Sequence, residues 1–355
     1  MRAGTRFSLT MSFVTSVFAL AVVATVGMAG CGTSGAPTSQ SSGGAGSSAS
    51  SSTPAGSVSG GAGLGLLWSP VDKTLRPVVG LPGSSWLGPS VVPAGAYQTG
   101  AYSPASGVAL LIDSRGGLTA LSSPSLQPVV LAQGIAANAE INFSPDGKLA
   151  VLITTGSASA MLLAGLPAQP SLSVVHAPGP IAAMAIGDDG TLLIASQGSA
   201  GVTISQVSPA GTSTIIASLA GFGGMNFLRG SDDSLLADSV SDTLARVHNG
   251  SLQILATKAD GINQPLAVAA SADSLWAIVA NQADGSLLRV SLAGATAATR
   301  AACACSPTEL VPLAGNAVFA LTPPGAAPSW LIDAGRTTPG VFFIPPAQNN
   351  MGSGQ

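Results

Sequence analysis

Charge is what this sequence has least of. Only 8% of its 355 residues are Asp, Glu, Lys or Arg, against roughly 25% in ordinary globular chains. Its surface must therefore be built from Ser, Thr, Gly, Asn and Gln. The 12 basic residues are scattered singly, which excludes nucleic acid as a partner, because phosphates demand clustered Lys and Arg. Aromatics stand at 4%, and the chain holds two histidines, two glutamates and three cysteines. Metal and acid–base chemistry thus have few groups to draw on, and no metal and no cofactor are expected. What is there is small and apolar: 46% hydrophobic residues, with 45 Gly and 25 Pro.

The first thirty residues read as an export signal. Arg2 and Arg6 form a positive start, and an almost uncharged apolar run follows from Phe7 to Met28. The run ends in Met28-Ala29-Gly30-Cys31, which resembles the bacterial lipobox. That resemblance implies cleavage before Cys31 and lipid attachment to its sulfur. Two other readings stay open. A plain signal peptide would leave Cys31 a thiol, and an uncleaved anchor helix is long enough to span a bilayer. No later run is comparable, so a polytopic protein is excluded. Residues 31–63 are the lipidated Cys and a Gly/Ser-rich tether with no charge, too polar to fold, with a reach of roughly 30 Å. Gly32, not Asp, follows the Cys; in a cell with two membranes this implies the outer one. Removing the signal moves the formal charge from −3 to −5.

The fold is read from a repeat. A short turn between apolar stretches starts at Ser103, Ser144, Gly187, Ser231, Ser271 and Leu313, at spacings of 41, 43, 44, 40 and 42 residues. That period matches a four-stranded propeller blade. Segments ahead of the turns, such as Ile181 to Ile186 and Leu266 to Ala270, carry small side chains that suit a crowded innermost strand. Apolar runs after them, such as Leu149 to Ile153, suit central strands buried on both faces. An Ala-rich helix over Pro265 to Gln282 is the local alternative. The predicted fold is all-β, a single β-propeller over residues 64–346 with about seven four-stranded blades, six being the close alternative. Leu64 to Trp68 and Thr74 to Leu81 read as the outer half of a further blade. Residues 347–355 read as a disordered tail. Asn142-Phe143-Ser144-Pro145-Asp146-Gly147-Lys148-Leu149 resembles the PDG-containing propeller repeats of bacterial periplasmic and surface proteins. This supports the architecture and carries no function.

Candidate sites are sparse. His176 and His248 read as outer-strand or turn residues. Asp188-Asp189 and Asp232-Asp233 read as turn residues rather than paired carboxylates. Glu140 and Glu309 have no evident His or Arg companion, which argues against a lactone-hydrolysing propeller. Cys303 and Cys305 form a C-x-C pair, free or bridged, and a tight redox-active disulfide is the sharper alternative. Trp86, Tyr97 and Tyr102 fall close together, as a sugar-binding platform would, and equally as rings plugging gaps between blades. The expectation is a monomeric, lipid-anchored module exposed at the cell envelope, noncatalytic, binding another envelope or secreted protein. A glycan or small-ligand binder using the Trp86 region and a propeller hydrolase are the alternatives.

Overall fold

The computed structural model describes residues 63–294, 297–325 and 327–346. The expected signal peptide, Cys31, all but the last residue of the tether, and the tail from 347 lie outside the described residues. Gly63, assigned to the tether from sequence, is the first residue of the first strand.

Seven antiparallel sheets follow one another along the chain, at residues 63–87, 97–132, 140–176, 183–219, 222–256, 265–301 and 311–344. They are the blades of a seven-bladed propeller, numbered 1 to 7 here. Six have four strands and blade 1 has three; in each, strands neighbour in chain order. Among the described residues the single helical element is one 3₁₀ turn, Lys258–Asp260. The Ala-rich segment forms two paired strands, Pro265–Ala270 and Trp276–Asn281. Burial between neighbouring blades overrides its helical propensity, since Ala277 to Ala280 are fully buried.

The apolar runs form the cores between blades. Val151 and Ile153 of blade 3 pack on Ile186, Leu192 and Ile194 of blade 4. Ile278 and Leu287 of blade 6 pack on Phe319 and Ile332 of blade 7. Near the axis the inner strands crowd, and small residues are required there. A Cβ on Gly223 of blade 5 would stand 2.5 Å from the Pro265 carbonyl oxygen of blade 6.

The repeated turns lie between the first and second strands of blades 2 to 7, at one end of the axis, the turn mouth. Their chemistry recurs. In blade 3 the Ser144 hydroxyl donates to the Asp146 carboxylate at 2.8 Å, which accepts from the Lys148 N–H. In blade 6 Ser271 donates to Asp273 at 2.6 Å, which accepts from the Leu275 N–H. One register needs correcting. The bond that closes the turn, Ser144 N–H to Leu149 C=O, has its blade 5 counterpart at Leu228 and Asp233. The blade 5 turn therefore begins at Leu228, three residues before Ser231.

Adjacent turns are tied together. The Asp188 carboxylate of blade 4 accepts from the Asp146 N–H of blade 3 and from the Gly230 N–H of blade 5, both at 2.8 Å. Ser274 of blade 6 donates to the Arg229 carbonyl of blade 5 at 3.3 Å.

Blade 1 runs backwards. Its inner strand, Gly63–Ser69, begins at the turn mouth, where the Leu64 carbonyl accepts from the Ala314 N–H of blade 7 at 2.6 Å. It ends at the opposite, front mouth, where Ser69 donates to the Pro324 carbonyl at 2.7 Å and Lys73 to the Gln98 carbonyl at 3.1 Å. Parity is the reason. Four antiparallel strands return the chain to the mouth where it started, and three do not. To deliver the chain to the front mouth for the next inner strand, Tyr97–Ser103, a three-stranded blade has to start at the other end. The N-terminal pair is thus not the outer half of a blade: Gly63–Ser69 faces the axis. Closure comes from packing, with Leu64, Val78 and Leu87 of blade 1 against Ala320, Leu331 and Ile344 of blade 7.

Candidate ligand-binding channel

The seven inner strands enclose a channel of about 1050 Å³. Its ionisable wall residues are Glu140, Glu309, Tyr102 and Arg229. Both glutamates of the chain face it. They occupy the same register, four residues ahead of the turn-closing positions Ser144 and Leu313, whose N–H groups bond the Leu149 and Val318 carbonyls. The same position in the other four-stranded blades holds Thr99, Ala183, Gly224 and Ala267, all lining the channel. One layer near the front mouth therefore carries two carboxylates, with small residues at the four other places.

The two acids are held differently. Glu140 opens the inner strand Glu140–Phe143. Its Oε1 accepts from Asn142 Nδ2 at 2.8 Å, and the same amide donates to the Met184 carbonyl of blade 4 at 3.1 Å. Glu309 sits on the connection from blade 6 to blade 7, fixed through its backbone: the Thr308 and Glu309 N–H groups both donate to the Leu321 carbonyl. Burial alone pushes the Glu309 carboxyl up to about 7. Burial also raises the Tyr102 hydroxyl. Aromatic surface stands beside the acidic layer. A Cβ on Gly100 would lie 2.8 Å from the half-buried Trp68 ring, and Phe222 begins the blade 5 inner strand.

The other candidates lie elsewhere. His176 ends the outer strand Ser171–His176 of blade 3 and is exposed. His248 ends Thr243–His248, the third strand of blade 5, and its Nδ1 lies 2.8 Å from Asp233 Oδ1. Asp233 also binds Arg246. Desolvation acts to raise its pKa, and the Arg246 and His248 hydrogen bonds outweigh this and hold it below the usual carboxylate range. Asp189 closes its own turn through Thr191. Cys303 and Cys305 are joined as a disulfide with Cα atoms 4.9 Å apart, on the same connection as Glu309. Trp86, on the outer strand of blade 1, is 53% exposed, whereas Tyr97 and Tyr102 pack with Leu66 and Leu111 between blades 1 and 2. The three rings do not form one platform. Among the described residues no three His, Cys, Asp or Glu side chains converge as a metal would require.

The acidic layer escaped sequence reading because Glu140 and Glu309 are 169 positions apart. The available signal was their common place, four residues before a repeated turn.

No protein-family model matches the chain, and no curated protein matches it. Solved structures do. A functionally unknown protein from Desulfotomaculum acetoxidans DSM 771 superposes with a TM-score of 0.54 at 12% identity, covering 79% of this chain and 99% of that one. Virginiamycin B lyase from Staphylococcus aureus gives 0.51 at 10% identity, covering 70% and 84%. The Myceliophteria thermophila Cps50 (Swd1) beta-propeller domain gives 0.51 at 10%, covering 72% and 89%. At these identities the likeness is one of fold, and the functions behind it differ. The chain is a seven-bladed β-propeller.

Proposed function

We propose that this propeller is a noncatalytic binding module, lipid-anchored at Cys31 and exposed at the cell envelope, that engages another envelope or secreted protein at its front mouth. One observation carries the reading. The channel's two carboxylates stand in a layer of small residues, while the histidines end the fourth strand of blade 3 and the third strand of blade 5, away from the channel wall. Turnover by general acid–base or nucleophilic routes needs such groups within hydrogen-bond reach of one another. A recessed acidic layer suits recognition instead.

The test has three parts. Metabolic labelling with a fatty acid marks the full-length chain, and Cys31→Ser abolishes the label. The wild-type chain captures a partner from an envelope extract saturably, and Glu140→Lys, which reverses a charge of the acidic layer at an exposed position, blocks capture while leaving the circular dichroism unchanged. Screening against lactones, esters and glycosides yields no turnover. Turnover lost on replacing Glu140 or Glu309, or capture indifferent to Glu140→Lys, overturns the reading.

A further inference from the structure

The acidic layer specifies more than a binding site. Glu309 brings a carboxyl into the channel with no counter-charge: among the described residues no hydrogen bond or ion pair reaches its side chain, and burial is what displaces its titration. Arg229, the cation on the channel wall, belongs to the opposite, turn end, on the blade 5 turn that begins at Leu228. Glu140 is oriented by Asn142 and keeps Oε2 free for a further donor. Thr99, Ala183, Gly224 and Ala267 put small side chains at the four other places of the layer. Trp68 and Phe222 line the same channel while packing on the cores between blades 1 and 2 and between blades 4 and 5.

We propose that the front half of the channel binds an organic cation, an ammonium or guanidinium group on an apolar stem, with Glu309 as its counter-charge and Glu140 as a second acceptor. The cation arrives either on a free amine or as a Lys or Arg side chain inserted by a protein partner. This deepens the binding reading above and rests on it only in placing the ligand at the front mouth.

The chemistry predicts proton linkage. A half-buried carboxyl without a partner, raised as Glu309 is by burial, keeps its proton closer to neutral pH, and an arriving ammonium favours the ionised form, so binding expels that proton to the buffer. The other ionisable wall groups are Glu140, Tyr102 and Arg229. In the groove behind the Glu309 connection, Asp284 is paired with Arg300 at 2.8 Å.

The experiment uses the full-length chain in detergent with four probes: phenethylamine, the neutral phenethyl alcohol, phenylacetate and a short Lys-containing peptide. Titration calorimetry at pH 6 and pH 8, in buffers of different ionisation enthalpy, reads affinity and proton release together. Phenethylamine, protonated at both pH values, binds about tenfold more tightly at pH 8 and releases protons, following the ionised fraction of a group near 7. Glu309→Gln removes the pH dependence and weakens binding at pH 8 by about tenfold or more. Glu140→Gln weakens binding and keeps the proton release. A peptide that outcompetes phenethylamine points to a side-chain cation, and the reverse order points to a free amine.

Equal binding of the alcohol and the amine, tighter binding of phenylacetate, or unchanged titrations in a folded Glu309→Gln variant overturn the proposal. Partner capture that persists in the presence of saturating phenethylamine overturns it for proteins while leaving the binding-module reading intact. Amine binding without any partner capture does the opposite.

Discussion

Asp273 of blade 6 and Asn316 of blade 7 hold each other twice across the blade boundary: Asn316 Oδ1 accepts from the Asp273 N–H at 2.9 Å, and Asn316 Nδ2 donates to the Asp273 carboxylate at 2.6 Å. Asp188 does the same work between blades 3, 4 and 5. The polar residues that punctuate the repeat therefore link blades 3 to 7 in series as well as turning the chain.

Asp188→Ala should lower unfolding free energy by about 1–3 kcal/mol, the usual cost of stripping partners from backbone donors. Asp188→Asn, which retains one carbonyl acceptor, should cost less. Denaturant titration measures both, and a value near zero for Asp188→Ala would show that the turn links are dispensable.

Gly223→Ala should cost roughly 1–3 kcal/mol or more, because its Cβ would strike the Pro265 carbonyl, a backbone atom of a packed strand. Gly325→Ala has nothing within 4 Å of the added Cβ and should stay within about 0.5 kcal/mol of wild type.

Acid should destabilise the ring below about pH 4. Desolvation acts to raise the pKa of Asp238 and Asp273, yet hydrogen bonds outweigh it and hold both below the usual range. For Asp238 the donors are the backbone N–H groups of Ser241, Ala220 and Val240. Because the folded values lie below the unfolded ones, the stabilisation is present above the unfolded pKa and is lost as pH falls through the folded values. Tm should drop as pH is lowered from 5 to 2, and less steeply in Asp238→Asn.

Glu309 works with the opposite sign. Its folded value of about 7 lies above the ordinary 4.5, so its contribution is full below about pH 4.5 and disappears as pH rises through 7. Without ligand, Glu309→Gln should be more stable than wild type at pH 8 by roughly 1–3 kcal/mol, and indistinguishable from it near pH 4. Thermal melts at the two pH values decide it.

The Cys303–Cys305 bridge spans two positions, and closing so short a loop constrains the unfolded chain little. The double replacement by Ser should cost no more than about 1.5 kcal/mol, against nearly 5 for a hundred-residue loop. A larger loss in denaturant titration would mean that the bridge organises the Glu309 connection.

Most of the architecture was legible because its signals are local. Ser144 and Asp146 announce their turn, and the run from Leu149 to Ile153 announces a strand buried on both sides. Two things were not legible. Blade 1 lacks a repeated turn in phase with the others, so the reversal of Gly63–Ser69 follows only from counting strands and applying parity. The acidic layer depends on ring closure, which brings Glu140 and Glu309 to the same height from blades 3 and 7, a relation no sequence window contains.

The reversed first blade also sets the mouth at which the chain enters the ring. Gly63 enters at the turn mouth, beside Ala314, whereas Glu140 and Glu309 belong to the other end. Anything joined through the N-terminus is thus hitched to the far side of the ring. A fusion or surface attachment made at Gly63 therefore leaves the acidic opening unobstructed, and one made through the connections at the front mouth does not.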